Sequence, residues 1–297
     1  MLPRLPLAPL LLRVGLHAPR AVLAGVLARR WFQDRRAGVI GGLLVAFDPV
    51  LVHYATQRLD ATLGLVFFLA GLACLRLEHT PPRPRAVIGA SLCWALAALT
   101  RPQFLMVWLL LPLLWTWRHR TRVGLAGACG AVVLGGGLFV AQGFWQRTLS
   151  GQFRILPSQG AYNLWVANQP GANGRYYRQT LDLSYPARSD NPARLESIAL
   201  YQKETGTPGT DIDEMNAHWR QRFTSQVIGH PAAWLGLLAR KTYALLNDWE
   251  QYNNKTYAFH KARSPWLRWN PLGWGLLLVL GIAGAWRLQA QAPFLAH

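Results

Sequence analysis

The stretch from Val123 to Trp145 constrains this chain most, because its 23 residues carry no charged side chain. At about 1.5 Å per residue, a helix of that length crosses the roughly 30 Å hydrocarbon core of a bilayer. Other apolar runs flank it, and 52% of the 297 residues are hydrophobic. Soluble proteins rarely combine this composition with uncharged runs of such length. We therefore predict an integral membrane protein.

Short polar segments divide the apolar runs into separate spans. The predicted spans are Ala37–Tyr54, Ala61–Leu75, Ala86–Leu99, Pro102–Trp117, Val123–Trp145 and Leu272–Trp286. Residues 1–28 form a poorer segment, interrupted by charged residues and a proline, which is either a degraded first span or a signal peptide. The sequence thus predicts an all-α fold, a polytopic membrane helix bundle of about six or seven spans.

The arginine residues alternate between the loops. The first, third and fifth loops carry ten of them, whereas the intervening loops carry Arg58 and Arg101. The ten are Arg29, Arg30, Arg35, Arg36, Arg76, Arg83, Arg85, Arg118, Arg120 and Arg122. Because positively charged loops stay in the cytoplasm, Arg58 and Arg101 are predicted to face outside. The net charge of +18 does not indicate nucleic-acid binding, since the clusters do not line one face of a soluble domain.

Two places on that outer side are candidates for a site. The hairpin His53–Asp60 contains Arg58 and Asp60, and charges at the edge of a membrane segment are costly without a function. Pro102 favours an extended Arg101 and hence a break between two short helices, which often lines a polar cavity. The alternatives are a solvated polar turn and an Arg101 that snorkels to the lipid headgroups.

Residues 146–270 are polar and punctuated by glycine and proline, and we predict a mainly helical region outside the membrane. The predicted domains are therefore the bundle 1–145, the loop region 146–270 and a C-terminal span at 271–290. Helices are predicted at 192–205, 211–228 and 231–249 from their apolar spacing. Asp211 caps the second. The third is amphipathic, and it either lies on the outer leaflet or packs on the spans.

One stretch of this region combines turn formers, amides and aromatic side chains. Its candidate sugar-binding or acceptor-binding residues are Tyr162, Asn163, Trp165 and Asn168. Amides beside aromatic rings suit the hydroxyls and ring faces of sugars. An ordered loop with capping asparagines has the same composition, so both interpretations stay open.

Several of these stretches together resemble a known family. They are Arg36–Leu63, Ala95–Pro102, Tyr162–Gly171 and Asn247–Asn254. In this order they resemble the GT-C superfamily of bacterial polytopic sugar transferases, of the protein O-mannosyltransferase and lipid A aminoarabinose transferase type. The resemblance extends over residues 20–290 and implies a multi-pass enzyme of the bacterial inner membrane with its long loop outside.

The resemblance implies a reaction and a set of roles. A sugar passes, with inversion, from a polyprenyl-phosphate carrier to an acceptor outside the cytoplasmic membrane. Asp60 matches the acidic position at the start of a later span and is the candidate catalytic residue, and Arg58 and Arg101 match the groups that bind the departing lipid phosphate. A leaving phosphate needs positive charge, which arginine supplies in a bidentate fork. No cofactor is implied, and Asp48 and Asp60 supply too few oxygen ligands for a divalent metal.

The start of the chain departs from the family pattern. The family has an acidic first outer loop before the turn at 29–36, whereas residues 1–28 here contain neither Asp nor Glu. The expectations are a misplaced start codon, a fragment, or a protein that has lost catalysis. The alternative function is a transferase-like binder of lipid-linked sugars, an accessory subunit or a transporter. Asp48, beside Pro49, either replaces the missing carboxylate or caps or kinks its helix.

Overall fold

The computed structural model describes residues 11, 14–56, 61–75, 83–118, 122–155, 159–174, 181, 191–247 and 257–291. In this part of the chain the regular elements are helices and there is no strand, which confirms the predicted all-α class. The chain divides into two compact units. The first consists of Met1–Ile155 and Phe259–His297, and the second of Leu156–Ala258.

The described helices follow one another in chain order. They are α1 His17–Phe32, α2 Arg35–Phe47, α3 Pro49–Ala55, α4 Ala61–Leu75, α5 Pro84–Thr100, α6 Leu105–Arg118, α7 Arg122–Ser150, α8 Gly160–Val166, α9 Pro192–Thr205, α10 Ile212–Gly229, α11 Pro231–Leu246, α12 Tyr257–Arg263, α13 Pro265–Trp269 and α14 Trp274–Gln291. A 3-10 turn, Pro102–Phe104, joins α5 to α6.

The predicted span Ala37–Tyr54 is broken into α2 and α3. Pro49 disfavours a helical conformation at Asp48, whose φ of −60° and ψ of 118° are extended. The chain bends there by 55°. Oδ1 of Asp48 accepts a hydrogen bond of 2.7 Å from the amide of Leu51. The predicted span is therefore a bent pair of helices, and the prediction that Asp48 caps or kinks its helix is confirmed.

The directions of α4 to α7 alternate. The antiparallel pairing of α4 and α5 puts Gly64 beside Thr100 and Gly71 beside the indole of Trp94. The chain reverses again in α6, where the ring of Trp108 lies 4.9 Å from that of Phe139 in α7. The start of α4 and the end of α5 therefore lie at the same end of the first unit.

The helices α1 and α2 extend this arrangement. They pack antiparallel with backbones in close approach, since a Cβ at Gly25 would lie 2.8 Å from the carbonyl oxygen of Gly38. Near the end of α1, Arg30 donates a hydrogen bond of 2.8 Å to the carbonyl oxygen of Ala73, near the end of α4. Arg30 and Ala73 both lie near the ends of their helices, so the end of α2 and the start of α4 lie toward the opposite end of the first unit.

We call this end of the first unit the polar end and define it by Asp48, His53, Thr100 and Arg101. The segment between α13 and α14 is also attached to the polar end. Nδ2 of Asn270 donates a hydrogen bond of 2.9 Å to the carbonyl oxygen of Phe47. The polar end thus gathers segments from both parts of the chain that build the first unit.

Below the polar end, the first unit has an aromatic and aliphatic core. Trp94, Trp108 and Phe139 are buried at its centre. Nε1 of Trp94 donates to the carbonyl oxygen of Phe68 at 3.0 Å, and the hydroxyl of Ser91 donates to that of Ala131 at 2.9 Å. These bonds join α5 to α4 and α7, so the polar atoms in the core reinforce the helix directions.

One helix, Arg122–Ser150, is long and apolar enough to cross a bilayer. The pair formed by α2 and α3 meets the same criterion if it is counted as one broken span. The remaining apolar helices among the described residues are shorter: Ala61–Leu75, Pro84–Thr100, Pro102–Leu111 and Trp274–Arg287. The predicted number of spans stays a prediction.

The second unit packs α8, α9 and α10 around a separate core of aromatic rings. The helix predicted at 192–205 is α9, and its neighbours α10 and α11 begin within one residue of their predicted starts. Oδ1 of Asp211 accepts hydrogen bonds of 2.8 and 3.2 Å from the amides of Asp213 and Glu214, which confirms the predicted cap. α11 ends at Leu246 instead of 249.

Candidate functional site

The predicted break at Arg101 is present. Arg101 has φ −143° and ψ 114°, an extended conformation that Pro102 favours in the residue before it. Its amide still donates to the carbonyl oxygen of Ala97 at 2.8 Å, so α5 is hydrogen-bonded up to the break. The side chain of Arg101 is half-exposed at the polar end.

The first turns of α4 lie against this break. A Cβ at Gly64 would come within 2.6 Å of the hydroxyl of Thr100 and 3.1 Å of the ring of Phe104. Phe68, one turn further along α4, stacks on Phe104 with ring centroids 5.5 Å apart. The glycine allows a close approach that a side chain would prevent. Arg58 and Asp60, which precede α4 in the chain, lie outside the described residues.

The polar end also contains a cluster of His17, Arg20 and Asp48, in which Arg20 and Asp48 are buried and His17 is half-buried. The side chain of Arg20 is 1% exposed, and Nη2 donates to the carbonyl oxygen of Leu51 at 3.3 Å. Nη2 also contacts Nδ1 of His17 at 2.6 Å, while Nε2 of His17 lies 3.0 Å from the carbonyl oxygen of Ala46. These contacts fit an imidazole that donates from Nε2 and accepts at Nδ1.

Arg20 holds three elements together at that point. Its guanidinium interacts electrostatically with Asp48, the residue at the bend between α2 and α3. A buried arginine needs such a partner, because an isolated charge in an apolar bundle is strongly unfavourable. The carboxylate of Asp48 is thus engaged by the cap and by Arg20, which gives it a structural role at this bend.

Among the residues that the structure describes, no group of three or more His, Cys, Asp and Glu side chains is placed to hold a metal ion. The described polar groups of this end include the guanidinium of Arg101 and the imidazole of His53. Arg101 can neutralise an anion, and the close packing of α4 on α5 brings the start of α4 within reach of the same ligand.

In the second unit, Tyr162 and Trp165 belong to the core. Tyr162 is 1% exposed, and its hydroxyl donates a hydrogen bond of 2.9 Å to Oε2 of Glu196. Trp165 packs on Trp219 with ring centroids 4.7 Å apart. Glu196 is fully buried, and its Oε1 accepts a hydrogen bond of 2.8 Å from the amide of Leu181. These contacts give the two aromatic residues a structural role, while their predicted contact with a sugar stays a prediction.

Asn168 is also buried, and Asn163 is exposed. Oδ1 of Asn168 accepts hydrogen bonds from Nζ of Lys241 at 2.9 Å and from Nε1 of Trp234 at 3.3 Å. Nδ2 of Asn168 donates to the carbonyl oxygen of Leu164 at 2.7 Å. Asn168 therefore ties the loop after α8 to α11. Of the four predicted sugar-binding or acceptor-binding residues, Asn163 has its side chain most open to solvent.

Sequence reasoning missed several of these polar residues. Arg20 is one of the charged residues that interrupt the poor segment 1–28, and Glu196 lies in the predicted helix 192–205 without a local signal of its burial. Lys241 carried a weak signal, because Trp234 lies seven residues before it and the two share a face of α11. Burial lowers the pKa of the Lys241 ammonium, since desolvation disfavours its charged form.

Comparison with protein-family models, with curated proteins and with solved structures finds no match to this chain.

Proposed function

We propose that this chain is a multi-spanning membrane glycosyltransferase that moves a sugar from a polyprenyl-phosphate carrier to an acceptor outside the cytoplasmic membrane. The pairing of α4 with α5 carries the proposal, because it brings the helix that follows Asp60 against the break at Arg101. The reaction needs a carboxylate and a cation near one another, and we propose Asp60, which immediately precedes α4 in the chain, and Arg101 for these roles.

The proposed step is an inverting displacement. The carboxylate of Asp60 accepts the proton of an acceptor hydroxyl, whose oxygen forms a bond to the anomeric carbon of the sugar. The bond between that carbon and the phosphate oxygen breaks, and the lipid phosphate leaves with the electron pair. Arg101, together with Arg58, stabilises the negative charge that develops on the leaving phosphate.

The distribution of exposed apolar side chains supports a membrane location. Met106 and Trp117 in α6 and Val133 in α7 have 69, 70 and 69% of their surface exposed. Exposed apolar surface of this extent suits lipid better than water. We therefore propose about six or seven membrane spans. Helices that are shorter than the bilayer would tilt little or would thin the bilayer locally.

Features of the second unit support the proposal that the acceptor binds outside the cytoplasmic membrane. Along α11, Leu235, Tyr243 and Leu245 are exposed, and Arg240 lies exposed among them. An amphipathic helix of this kind suits the interface of a leaflet. Of the four predicted sugar-binding or acceptor-binding residues, Asn163 is the exposed one, so we propose it as an acceptor contact.

The decisive experiment measures sugar transfer by the purified full chain in proteoliposomes that contain a radiolabelled polyprenyl-phosphate sugar. Asp60→Asn and Arg101→Ala are each expected to lower turnover about 100-fold or more, as loss of one transition-state contact does elsewhere. Arg122→Ala is the matched control, because Arg122 is an exposed arginine at the predicted cytoplasmic end of α7.

Unchanged turnover after the combined Asp60→Asn and Arg101→Ala substitutions would overturn the assignment of the site. Binding of the lipid-linked sugar without any turnover would instead support the alternative, a transferase-like binder or accessory subunit. The two outcomes are separated by measuring retention of the donor and release of the sugar in the same preparation.

A further inference from the structure

A pocket at the polar end lies outside the roles assigned above. It has a volume of about 430 Å³ and opens between the end of α3 and the segment formed by α12 and α13. That volume falls in the range of about 300–1,000 Å³ that is typical of small-molecule sites. The hydrogen bond from Asn270 to Phe47 fastens the chain after α13 to the end of α2, so the walls of the pocket are tied together.

The polar wall of the pocket consists of hydrogen-bond donors. It includes His53, His260, Arg263 and Ser264, and none of the residues that the structure describes around the pocket is acidic. The imidazoles of His53 and His260 lie with ring centroids 4.9 Å apart. A cationic guanidinium, two imidazoles and a hydroxyl around one space favour an anion over a neutral or cationic ligand.

Two of the donors, His53 and Arg263, are positioned by burial or by contacts with neighbouring residues. His53 is 5% exposed, so its ring is fixed in the wall. The guanidinium of Arg263 lies over the ring of Phe259 at 3.5 Å, and Nη1 donates to the carbonyl oxygen of the same residue at 3.3 Å. These contacts involve one face and one nitrogen of an exposed side chain, and a guanidinium has five N–H donors.

The remaining walls are apolar. Val52 lines the pocket on the α3 side, and Trp266, which is 44% exposed, lines it on the α13 side. An anion bound at the donors would place any attached chain along the valine and the indole. A phosphate ester with an apolar substituent contacts both the polar and the apolar wall of the pocket, whereas a free carboxylate or a sugar contacts the polar wall only.

We propose that this pocket is a binding site for a phosphate ester, with the phosphate held by His53, His260, Arg263 and Ser264. The substituent lies against Val52 and Trp266. This site is additional to the predicted contact of the donor phosphate with Arg58 and Arg101, and it does not depend on the transfer reaction. The shared chemistry is the phosphate group, which a membrane lipid or free phosphate can supply.

Equilibrium binding of radiolabelled farnesyl phosphate to the detergent-purified full chain tests the proposal without any sugar. Arg263→Gln and His260→Gln are each expected to raise the Kd about tenfold, because each loses a charge-assisted or polar bond to the phosphate. Both residues are at least partly exposed, so the fold is retained, and the thermal unfolding midpoint of each variant checks this. Arg268→Gln is the matched control, since Arg268 is an exposed arginine outside the pocket.

Competition then separates the two sources of the phosphate. Displacement of farnesyl phosphate by inorganic phosphate identifies the anion alone as the ligand, whereas resistance to displacement identifies a lipid-borne phosphate. Either result supports the site. Absence of binding, equal binding of the uncharged alcohol farnesol, or an equal loss of affinity in Arg268→Gln would each overturn it.

Discussion

The hydroxyl of Tyr162 donates a hydrogen bond of 2.9 Å to the carboxylate of Glu196, and both side chains are buried within the second unit. The two residues lie 34 positions apart in the chain and join α8 to α9. A buried carboxylate is stable where its oxygens accept hydrogen bonds, so this pair fixes how the loop with the predicted sugar contacts sits on its support.

Tyr162→Phe removes one partner of the Glu196 carboxylate while keeping the aromatic ring. We expect the local stability of α9 to fall by about 1–3 kcal/mol, because the buried oxygen loses a donor. Amide hydrogen exchange of peptides from α8 and α9 in the full chain measures this change. Asn163→Ala is the control, since Asn163 is exposed beside it, and equal exchange rates in the two variants would contradict the assigned role.

Substitution of Asp48 separates its two functions at the bend. Asp48→Asn keeps an oxygen that caps α3 but removes the charge beside Arg20, whereas Asp48→Ala removes both. The alanine variant is expected to be less stable than the asparagine variant by about 0.5–2 kcal/mol, the value of a cap. Amide exchange at Leu51 and its neighbours gives the measurement, and identical exchange in the two variants would rule out the cap.

The core of the first unit offers a matched pair of glycines in α7. A Cβ at Gly135 would overlap the indole of Trp108, whereas one at Gly137 meets no atom within 4 Å. Gly135→Val is therefore expected to be less stable than Gly137→Val by about 1–3 kcal/mol, through overpacking. Both variants carry the same change in helix propensity, so the difference in thermal unfolding midpoint in detergent isolates the packing. Equal midpoints would mean that Trp108 moves aside.

The half-buried Lys241 predicts a dependence of stability on pH. Because burial lowers its pKa in the folded chain, the unfolded chain binds the proton more tightly at pH values below the ordinary 10.5. The folded state should therefore gain stability as the pH rises toward 10.5, and Lys241→Met should remove that gain.

The measurement is the difference in thermal midpoint between the wild type and Lys241→Met across that range. Lys203→Met, at an exposed lysine of α9, serves as the control and should keep the gain. A difference that does not change with pH would show that Lys241 keeps its proton in the folded chain.

Local sequence signals account for part of this structure. The break at Arg101 and the bend at Asp48 follow from the prolines after them, and the cap at Asp211 follows from its carboxylate at a helix start. Each of these depends on residues within one turn. The apolar run Ala37–Tyr54 does not by itself indicate the size of the bend at Asp48, which is 55°.

The remaining contacts depend on residues far apart in the chain. Arg20 meets Leu51 across 31 positions, and Asn168 meets Lys241 across 73. Composition marks these side chains as polar but does not indicate which will be buried together. The same difference between local and long-range contacts applies to the predicted site residues. The break at Arg101 could be predicted from the proline after it, whereas the burial of Tyr162 and Trp165 follows from the packing of α10.

The hydrogen bond from Asn270 to Phe47 has a consequence for biosynthesis, because its two residues are separated by 223 positions. At translation rates of about 5–20 residues per second, Phe47 leaves the ribosome roughly 10–45 seconds before its partner exists. The helices from α1 to α7 can associate during that interval as they emerge. The polar end is completed only when the last segment is synthesised. A chain that stalls before Asn270 would therefore have an assembled helix bundle whose polar end lacks this segment.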